Sequence, residues 1–567
     1  MRDTRFFISW LGIFIFWSTS WAQQLLPERQ ADWSSAGVSK DLIYPSVELN
    51  MLDYGGIRDG SASNHTAFEA LLMALNDQPG IVYFPTGIYH FSEPIFISDN
   101  IILRGAGSDS TILEFDLGGS DHCINIIGAR SHDSIAVIQP ISKDDLVITL
   151  EEIVGLAAGD YFILLFDDQS LVNDSWAEKS VGQINRITSL QQGHIEVEHP
   201  IRREYSLSSN PYIEPINPVH HVGLSCLKIK RLDATASHTS NIHFALAAEC
   251  WLSSIESEQA NFSHVVFERS IHCSVEGSYF HHAFNYGSGG NAYGITLQYT
   301  TGDVLIQNSI FEHLRHSILL QAGANGNVLA DNYSTDPYKI IDIGGQQIPT
   351  NVTGDLVCHG NYPYANLFEG NIASFGIVDA SHGANGPFNT YFRNRMDLYG
   401  LQISNSSPDN NSQNIIGNEV NSMTINEIDH YSYGNNVQGT VVPPGTNEMT
   451  VMSFFHGVAP AYFNGLPWPS IGYPANYGAG TNPAKIRFQS GQYTDNCVEL
   501  NDCPDTQQID RIGYQEPDYQ AKINIKATAI VYPFQQINLQ AGTEVLLQSG
   551  FELRNGASMS ISIAGCP

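Results

Sequence analysis

The stretch that decides the fold lies between residues 305 and 418, where one short pattern recurs. Each copy has an apolar residue three positions before an asparagine: Leu305-Ile-Gln-Asn308, Leu329-Ala-Asp-Asn332, Phe368-Glu-Gly-Asn371, Tyr391-Phe-Arg-Asn394 and Ile415-Ile-Gly-Asn418. Three of the four intervals between these asparagines are about 24 residues long, and the interval from Asn332 to Asn371 is about 15 residues longer. Self-similarity at a fixed period indicates a solenoid, and a period of about 23 residues corresponds to one coil of a parallel β-helix.

Asparagine suits this position because its side chain can hydrogen-bond along the stack and because it tolerates turn geometry. We therefore interpret the repeated asparagines as an internal ladder and not as catalytic groups. A leucine-rich repeat is the alternative solenoid, but its Leu-x-x-Leu-x-Leu pattern is missing. The two longer intervals, from Asn332 to Asn371 and from Gly277 to Asn308, predict extra loops, which in solenoids often line the binding face.

An ordered set of motifs precedes the repeat. Residues Thr66 to Leu75 have apolar side chains at helical spacing. Around them lie Asp53-Tyr54-Gly55, Asp59-Gly60, Pro85-Thr86-Gly87-Ile88-Tyr89 and Gly105-Ala106-Gly107. This set resembles the N-terminal segment of the pectate lyase superfamily, although Asn64 stands where an Asp is more usual. The resemblance implies an all-β, right-handed parallel β-helix with a short N-terminal capping helix, a fold that hosts several chemistries.

Both ends of the chain differ from this body. Arg2 and Arg5, an apolar run to Trp17 and the small residues near Ala22 predict a signal peptide. A membrane anchor is the alternative, but a spanning helix needs about 20 apolar residues and this run is shorter. The last residues form three strand-plus-glycine units that resemble a small β-stack module of secreted Bacteroidetes proteins. The predicted location is therefore secreted: extracellular, periplasmic or at the cell surface.

The predicted domain organisation follows from these features. Residues 136–215 break the pattern with strand-like runs that lack the repeat, and they are interpreted as a small inserted β domain. The predicted segments are a signal peptide 1–22, the cap and first coils 46–135, the insertion 136–215, the main β-helix 216–490, a linker 491–518 and a C-terminal β-stack module 519–567.

Composition narrows the possible partners. The chain has 567 residues and a formal net charge of −32, which argues against nucleic acid, since nucleic acid demands a basic face. It contains eight cysteines, which an exported chain can pair. Cys497 and Cys503 are close enough for a local bridge, and Cys226, Cys250 and Cys273 could stack on successive coils as buried thiols. Composition does not choose the pairing or the oligomeric state.

The chemistry expected of such a protein is cleavage of an acidic polysaccharide by β-elimination. The uronate carboxylate must be neutralised, the C5 proton removed and the leaving oxygen protonated, which Arg or Lys, His and Tyr can do. Lys and Arg are sparse between residues 241 and 420, which draws attention to those present. The predicted catalytic residues are Arg315, His316, His282 and Lys339, and the predicted substrate-binding residues are Tyr293, His359, His382 and Arg393.

Two other functions stay open from the sequence. A glycoside hydrolase on the same fold needs two carboxylates, for which Asp331, Glu369 and Asp379 are the candidates. A non-catalytic carbohydrate-binding protein or a C5-epimerase is the other alternative. The histidines show no zinc-binding spacing, so no cofactor or metal is predicted, although Ca²⁺ held by scattered carboxylates is possible.

Overall fold

Three parallel sheets form the solenoid, and each coil except the first and the last adds one strand to each sheet. The computed structural model describes residues 25–39, 45, 47–404, 412–426, 429–497, 506–509, 518–521, 524–531, 536–541, 544–554 and 557–563. The predicted signal peptide 1–22 lies outside these residues. The described chain is almost entirely strand, turn and loop, and it confirms the predicted parallel β-helix.

Sheet 1 has twelve parallel strands, each mostly three residues long. The middle residue of each strand points into the core, so that Ile306, Leu329, Phe368 and Tyr391 stack on one another from coil to coil. The strands are Glu48–Asn50, Gly80–Phe84, Ile101–Gly105, Gly223–Ser225, Trp251–Ser253, Ser274–Glu276, Leu305–Gln307, Val328–Ala330, Leu367–Glu369, Thr390–Phe392, Asn414–Ile416 and Tyr431–Tyr433.

Sheet 2 follows sheet 1 in every coil after a tight turn. Its strands are Asp59–Ser63, Gly87–Phe91, Thr111–Phe115, Lys228–Arg231, Glu256–Ala260, Tyr279–Ala283, Ile310–Glu312, Tyr333–Thr335, the first parts of Ile372–Val378 and Arg395–Ile403, Glu419–Val420 and Asn435–Val437. The last of these also pairs with the antiparallel strand Thr440–Val442.

Sheet 3 completes each coil. Its strands are Ile95–Phe96, Ile124–Ile127, Ile242–Ala245, Ser263–Glu268, Tyr293–Gln298, His316–Leu320, Leu356–Cys358, the last parts of Ile372–Val378 and Arg395–Ile403, and Met423–Ile425. Sheets 2 and 3 are continuous in two coils, because the strands that begin at Ile372 and Arg395 run through the corner between them. A short parallel pair, Val219–His220 with Ala247–Ala248, lies beside the sheets.

The predicted asparagine ladder is present at the corner between sheets 1 and 2. The side-chain Oδ1 of Asn394 accepts hydrogen bonds from the backbone and side-chain nitrogens of Asn371, at 3.1 and 2.8 Å. In the same way, Asn418 Oδ1 accepts hydrogen bonds from the backbone and side-chain nitrogens of Asn394, each at 3.0 Å. Asn332 also belongs to the ladder, since its two nitrogens donate to Asn371. The ladder satisfies buried backbone groups at a corner that has no strand partner.

The prediction for Asn308 was wrong by one position. The register pairs Gln307 with Ala330, which places Ser309, not Asn308, beside Asn332. The Ser309 N–H accordingly donates to Asn332 Oδ1 at 3.0 Å. Asn308 instead occupies the left-handed turn position with a φ of 50°, in the same column as Gly277 at 58°. Asparagine tolerates the left-handed conformation, so it occurs both at the ladder position and at the turn position one residue before it.

The N-terminal end is covered by the predicted helix, which spans His65–Leu75. Its apolar face, with Phe68, Leu71 and Leu75, is buried against the first coil and covers its open core. Asn64 precedes the helix and is buried; its side chain accepts from the Ile57 N–H and donates to the Ile57 carbonyl. A second helix spans Pro483–Ser490, and 3₁₀ turns span Pro27–Arg29, Met51–Tyr54, Ser175–Ala177, Leu207–Ser209 and Ala461–Phe463. Neither described helix is long and apolar enough to cross a membrane.

An antiparallel sheet interrupts the solenoid after the first coils. It has its own apolar core, which includes Phe162, Ile187 and Ile213. Its strands are Ala129–Arg130, Ile135–Ala136, Val147–Thr149, Tyr161–Leu165, Gln183–Gln191, His194–Val197 and Tyr212–Asn217. The predicted insertion, 136–215, falls within these limits. The extra residues between Asn332 and Asn371 form a second antiparallel element, the hairpin Lys339–Ile343 with Gln346–Thr350.

The segment 443–497, here called the strap, runs back along the corner between sheets 1 and 2. It contacts several coils: the Arg393 guanidinium donates to the Val451 carbonyl near the start of the strap, and Arg487 donates to the Asn308 carbonyl near its end. A disulfide between Cys497 and Cys226 fastens its end. This pairing replaces the predicted local bridge to Cys503, which lies outside the described residues, and it removes Cys226 from the predicted thiol stack. Cys250 and Cys273 are buried free thiols.

The C-terminal strands form a separate set of parallel pairs around a small apolar core that includes Ile525 and Ile537. They are Thr506–Ile509, Asp518–Ala521, Asn524–Ala527, Ile530–Val531, Gln536–Ala541, Glu544–Leu547, Glu552–Leu553 and Ser558–Ile563. The first of them lies inside the predicted linker 491–518 and pairs with Asn524–Ala527.

Candidate functional site

Most of the residues that the sequence singled out meet on the outer face of sheet 3. The register pairs Tyr293 with His316, and it places Gln321, His359 and Asp379 in one column at the ends of successive strands. We call this place the sheet 3 site and define it by its side chains: Tyr293, Arg315, His316, Lys339, His359, Asp379, His382 and Asp174. The hairpin that begins at Lys339 and the insertion that carries Asp174 border it on opposite sides.

His359 and Asp379 form a hydrogen-bonded pair within the site. The His359 Nδ1–H donates to Asp379 Oδ2 at 2.8 Å. Burial alone would raise the pKa of Asp379, but the hydrogen bond and charge of His359 and the hydrogen bonds from Ser381 together outweigh it and lower the pKa below its usual value. The carboxylate therefore stays ionised and fixes the imidazole so that Nε2 is the nitrogen left for chemistry.

A second imidazole–carboxylate pair lies beside the first. The His382 Nδ1–H donates to Asp174 Oδ2 at 2.8 Å, and Asp174 comes from the inserted domain. The rings of His382 and His359 are 4.9 Å apart in an edge-to-face arrangement. His382 is the more open of the two, with 34% of its side chain exposed against 12% for His359. Trp176 approaches His382 edge-on at 5.6 Å, which gives the site an apolar border.

His316 is buried at the base of the site. Its Nδ1–H donates to the Gly354 carbonyl at 2.7 Å, and its Nε2 is buried with no hydrogen-bond partner among the described residues. Burial and the neighbouring Arg315 hold the pKa of His316 well below its usual value, so the ring is neutral. The ring lies 5.0 Å from that of Tyr293 and 5.9 Å from that of His359.

Two cations complete the site. The Arg315 guanidinium lies 5.6 Å from the centre of the Tyr293 ring, and its Nη1 donates to the carbonyls of Gly287 and Gly289. Burial, together with the positive charge of Arg315, lowers the pKa of Lys339, while Asp379 acts in the opposite direction. Lys339 thus lies within electrostatic range of both Arg315 and Asp379.

A row of amides and a carboxylate extends the site along the solenoid. Gln321 Nε2 donates to Gln298 Oε1 at 2.6 Å, and Gln298 Nε2 donates to Glu268 Oε1 at 2.7 Å. These residues lie one coil apart, so the row follows the stacking direction, along which a linear polymer could bind. The sequence analysis missed them, although their separations along the chain match the lengths of the coils that carry them.

Two of the predicted residues lie elsewhere. His282 lies within the sheet 2 strand Tyr279–Ala283, where its ring stacks on His313 at 5.0 Å and its Nδ1 lies 2.9 Å from that of His281. Arg393 is buried under the strap, and its guanidinium donates to the carbonyls of Ile471, Tyr473 and Val451. The structure therefore gives Arg393 a part in holding the strap, and neither residue belongs to the sheet 3 site.

The three hydrolase candidates are divided between two places. Asp379 belongs to the sheet 3 site, whereas Asp331 and Glu369 are buried under the strap, 5% exposed each. There the Tyr462 hydroxyl donates to Asp331 at 2.8 Å, and the Phe454 N–H donates to Glu369 at 2.9 Å. Burial raises the pKa of Glu369 to about 7 and that of Asp331 well above its usual value.

One cluster of possible metal ligands on sheet 2 already holds a cation of the protein. Glu256, Glu258 and His281 bring three ligand atoms close together, and the Lys228 ammonium contacts both carboxylates, at 2.8 Å for Glu256. The lysine thus supplies the positive charge that a metal ion would bring. Calcium binding elsewhere stays a prediction.

Comparisons with known proteins find one family model and several solved structures that resemble this chain. Residues 49–125 match the family model described as rhamnogalacturonase A/epimerase, pectate lyase-like. A search of curated protein sequences finds no significant relative. Similar solved structures include the tailspike protein gp49 of Pseudomonas phage LKA1, with 14% identity over 91% of this chain and 83% of that one and a TM-score of 0.49. The tailspike gp61 of Pseudomonas phage phi297 covers 91% and 75% at 14% identity, with a TM-score of 0.47.

The family match and the strand topology together define the class. The chain is a right-handed parallel β-helix, as predicted, and its residues 49–125 match a family model described as pectate lyase-like. The resemblance of the C-terminal strands to a Bacteroidetes β-stack module stays a prediction.

Proposed function

We propose that the chain is a secreted polysaccharide lyase that cleaves a uronic-acid-containing polysaccharide by β-elimination at the sheet 3 site. One observation carries the proposal. Two cations, Arg315 and Lys339, lie beside two histidines that are each held by a carboxylate, His359 by Asp379 and His382 by Asp174. The description of the matched family as pectate lyase-like supports the same substrate class.

The cations would act on the carboxylate of the sugar. Pairing with Lys339 and Arg315 neutralises the uronate and stabilises the negative charge that develops when the neighbouring C5 proton leaves. The lowered pKa of Lys339 reflects burial, and a bound carboxylate would restore its preference for the charged form. The chain has a net charge of −32 and would repel a polyanion, so a local pair of cations is needed for such a substrate to bind.

The histidines would move the protons. The His359 ring lies 5.9 Å from that of His316, the chain neighbour of Arg315, and C5 is bonded to the carboxyl carbon. His359 Nε2 would therefore take the C5 proton. The electron pair of that C–H bond forms the C4–C5 double bond as the C4–O bond breaks. His382, further from the cations, donates a proton to the leaving oxygen. Asp379 and Asp174 act as positioning residues that fix which nitrogen of each ring faces the sugar.

A glycoside hydrolase is the second candidate, because two carboxylates, Asp174 and Asp379, reach the same site. A hydrolase needs one carboxylate and one carboxylic acid on either side of the bond that breaks. In the structure both carboxylates accept a hydrogen bond from a histidine, an arrangement that suits positioning of the imidazoles better than proton donation to a sugar. A C5-epimerase would share the first proton transfer and leave the C4–O bond intact.

The test is an assay of the purified protein on a panel of uronic-acid and neutral polysaccharides. We expect new chain ends that absorb ultraviolet light, because elimination leaves a conjugated double bond. His359→Gln should lower kcat by about 10³-fold, the scale of general base catalysis. His132→Gln is the matched control, since its side chain is 77% exposed on the insertion.

The other outcomes decide between the alternatives. Reducing ends without the absorbance would overturn elimination in favour of hydrolysis, with Asp174 and Asp379 as the residues to replace. Binding without new chain ends would leave an epimerase or a binding protein. An unchanged kcat in a folded His359→Gln variant would remove the sheet 3 site from the reaction.

A further inference from the structure

A second cluster of ligand-type side chains lies where the inserted domain meets the solenoid. It consists of Glu198 and His199, which follow the strand His194–Val197, and His272, at the corner between sheets 3 and 1. The Nε2 atoms of His199 and His272 are 3.0 Å apart, and Glu198 Oε1 lies 3.7 Å from His199 Nε2. Two nitrogens that bind one Zn²⁺ at about 2.1 Å in a tetrahedral site are separated by about 3.4 Å.

The tautomer of His272 is fixed by the backbone. Its Nδ1 lies 2.9 Å from the Ser35 carbonyl oxygen, which can only accept, so Nδ1 carries a proton. In the neutral ring, Nε2 then presents a lone pair toward His199. A ring N–H bound to a backbone carbonyl is the usual way in which proteins orient a metal-binding histidine.

One oxygen of the Glu198 carboxylate is buried without a hydrogen-bond partner among the described residues. The Glu198 side chain is 4% exposed, and its Oε2 has no hydrogen bond to any described residue. A buried carboxylate oxygen that makes no hydrogen bond is costly, and a bound cation is one way to satisfy it.

We propose that Glu198, His199 and His272 bind a divalent transition metal ion, with Zn²⁺ as the best match, that fastens the inserted domain to the solenoid. Imidazole nitrogen and carboxylate oxygen are ligands that Zn²⁺ accepts, and three protein ligands leave a fourth position for water. The sequence pattern could not reveal this site, because His272 is 73 residues from His199 and only folding brings them together.

Zn²⁺ alone is the probe for the test. The full chain, dialysed against a chelator, is titrated with ZnCl₂ by calorimetry, and thermal unfolding is recorded with and without the ion. We expect one tightly bound Zn²⁺ per chain and a higher Tm. His272→Gln should weaken binding by more than about 100-fold and lose the rise in Tm, whereas the exposed His132→Gln should keep both.

Glu198→Gln is the second variant, because it preserves the shape of the side chain and removes only its charge. Glu198→Gln should weaken Zn²⁺ binding by at least about tenfold. If His272→Gln fails to fold, this second variant alone tests whether the cluster binds Zn²⁺. The proposal is overturned if the wild-type chain takes up no Zn²⁺, or if a folded His272→Gln or Glu198→Gln variant binds it as tightly as the wild type. These readouts do not depend on any enzymatic activity.

Discussion

The pKa values of two largely buried carboxyl groups, Asp379 and Glu369, shift in opposite directions because their hydrogen-bond partners differ. Asp379 accepts from an imidazole and has a lowered pKa, although it is largely buried. Glu369 accepts from the Ser453 hydroxyl and the Phe454 N–H, and these neutral donors do not offset its burial, so its pKa rises to about 7. Asp379 is therefore ionised and available to position a histidine, whereas Glu369 is protonated below neutral pH.

The raised pKa of Glu369 predicts a pH dependence of stability. A carboxyl group with a folded-state pKa near 7 contributes fully to the free energy of unfolding below its unfolded pKa, and this contribution is lost as the pH rises through about 7. Relative to Glu369→Gln, the wild type should lose about 3 kcal/mol of unfolding free energy between pH 4 and pH 8. Denaturant unfolding of both proteins at several pH values measures this difference in unfolding free energy.

Glu178→Gln is the control for this measurement, because Glu178 is exposed on the insertion. Its stability should follow the wild type at every pH. If the unfolding free energies of the wild type and Glu369→Gln change in parallel with pH, the raised pKa of Glu369 is contradicted.

Among the elements, the asparagine ladder is the part most open to a stability test. Asn394 accepts from both nitrogens of Asn371 and donates its side-chain N–H groups to the Phe368 carbonyl and to Asn418. Asn394→Ala would leave several of these buried groups unpaired, at about 1 to 3 kcal/mol each. We expect the free energy of unfolding to fall by at least about 2 kcal/mol.

The exposed Asn426→Ala is the matched control and should change stability by less than about 0.5 kcal/mol. Equal stabilities of the two variants in denaturant unfolding would show that the ladder contributes little.

The sequence predicted the elements better than their contacts. The repeat length shows the coil directly, because each coil must return an apolar residue to the same stack, as Leu329 and Phe368 do. A one-residue error at Asn308 arose because asparagine fits two neighbouring columns of the turn. The coil spacing also predicted that Arg315, His316 and Lys339 share one face.

Contacts across long separations could not be predicted in the same way. Asp174 reaches His382 across 208 residues, because the inserted domain packs beside the solenoid. Arg393 has the residue type of a binding group, yet Val451, one of the strap residues that hold it, lies 58 residues further along the chain. Spacing within a repeat carries no signal for partners that come from outside the repeat.

At the scale of the whole molecule, two faces of the solenoid differ in what covers them. The strap covers the corner between sheets 1 and 2 and is fastened there by the Cys226–Cys497 disulfide. The outer face of sheet 3 carries cations, histidines and amides instead, bordered by the hairpin and the inserted domain. We therefore assign stability to the first face and substrate binding to the second.

The most direct test of this assignment is a crystal structure of the inactive His359→Gln variant with a uronic-acid oligosaccharide drawn from the active substrate. We predict a sugar chain along the outer face of sheet 3, with one carboxylate within about 4 Å of Lys339 or Arg315 and its C5 facing position 359. An oligosaccharide bound along the strap or on the faces of sheets 1 and 2, with Lys339 and Arg315 untouched, would contradict the account.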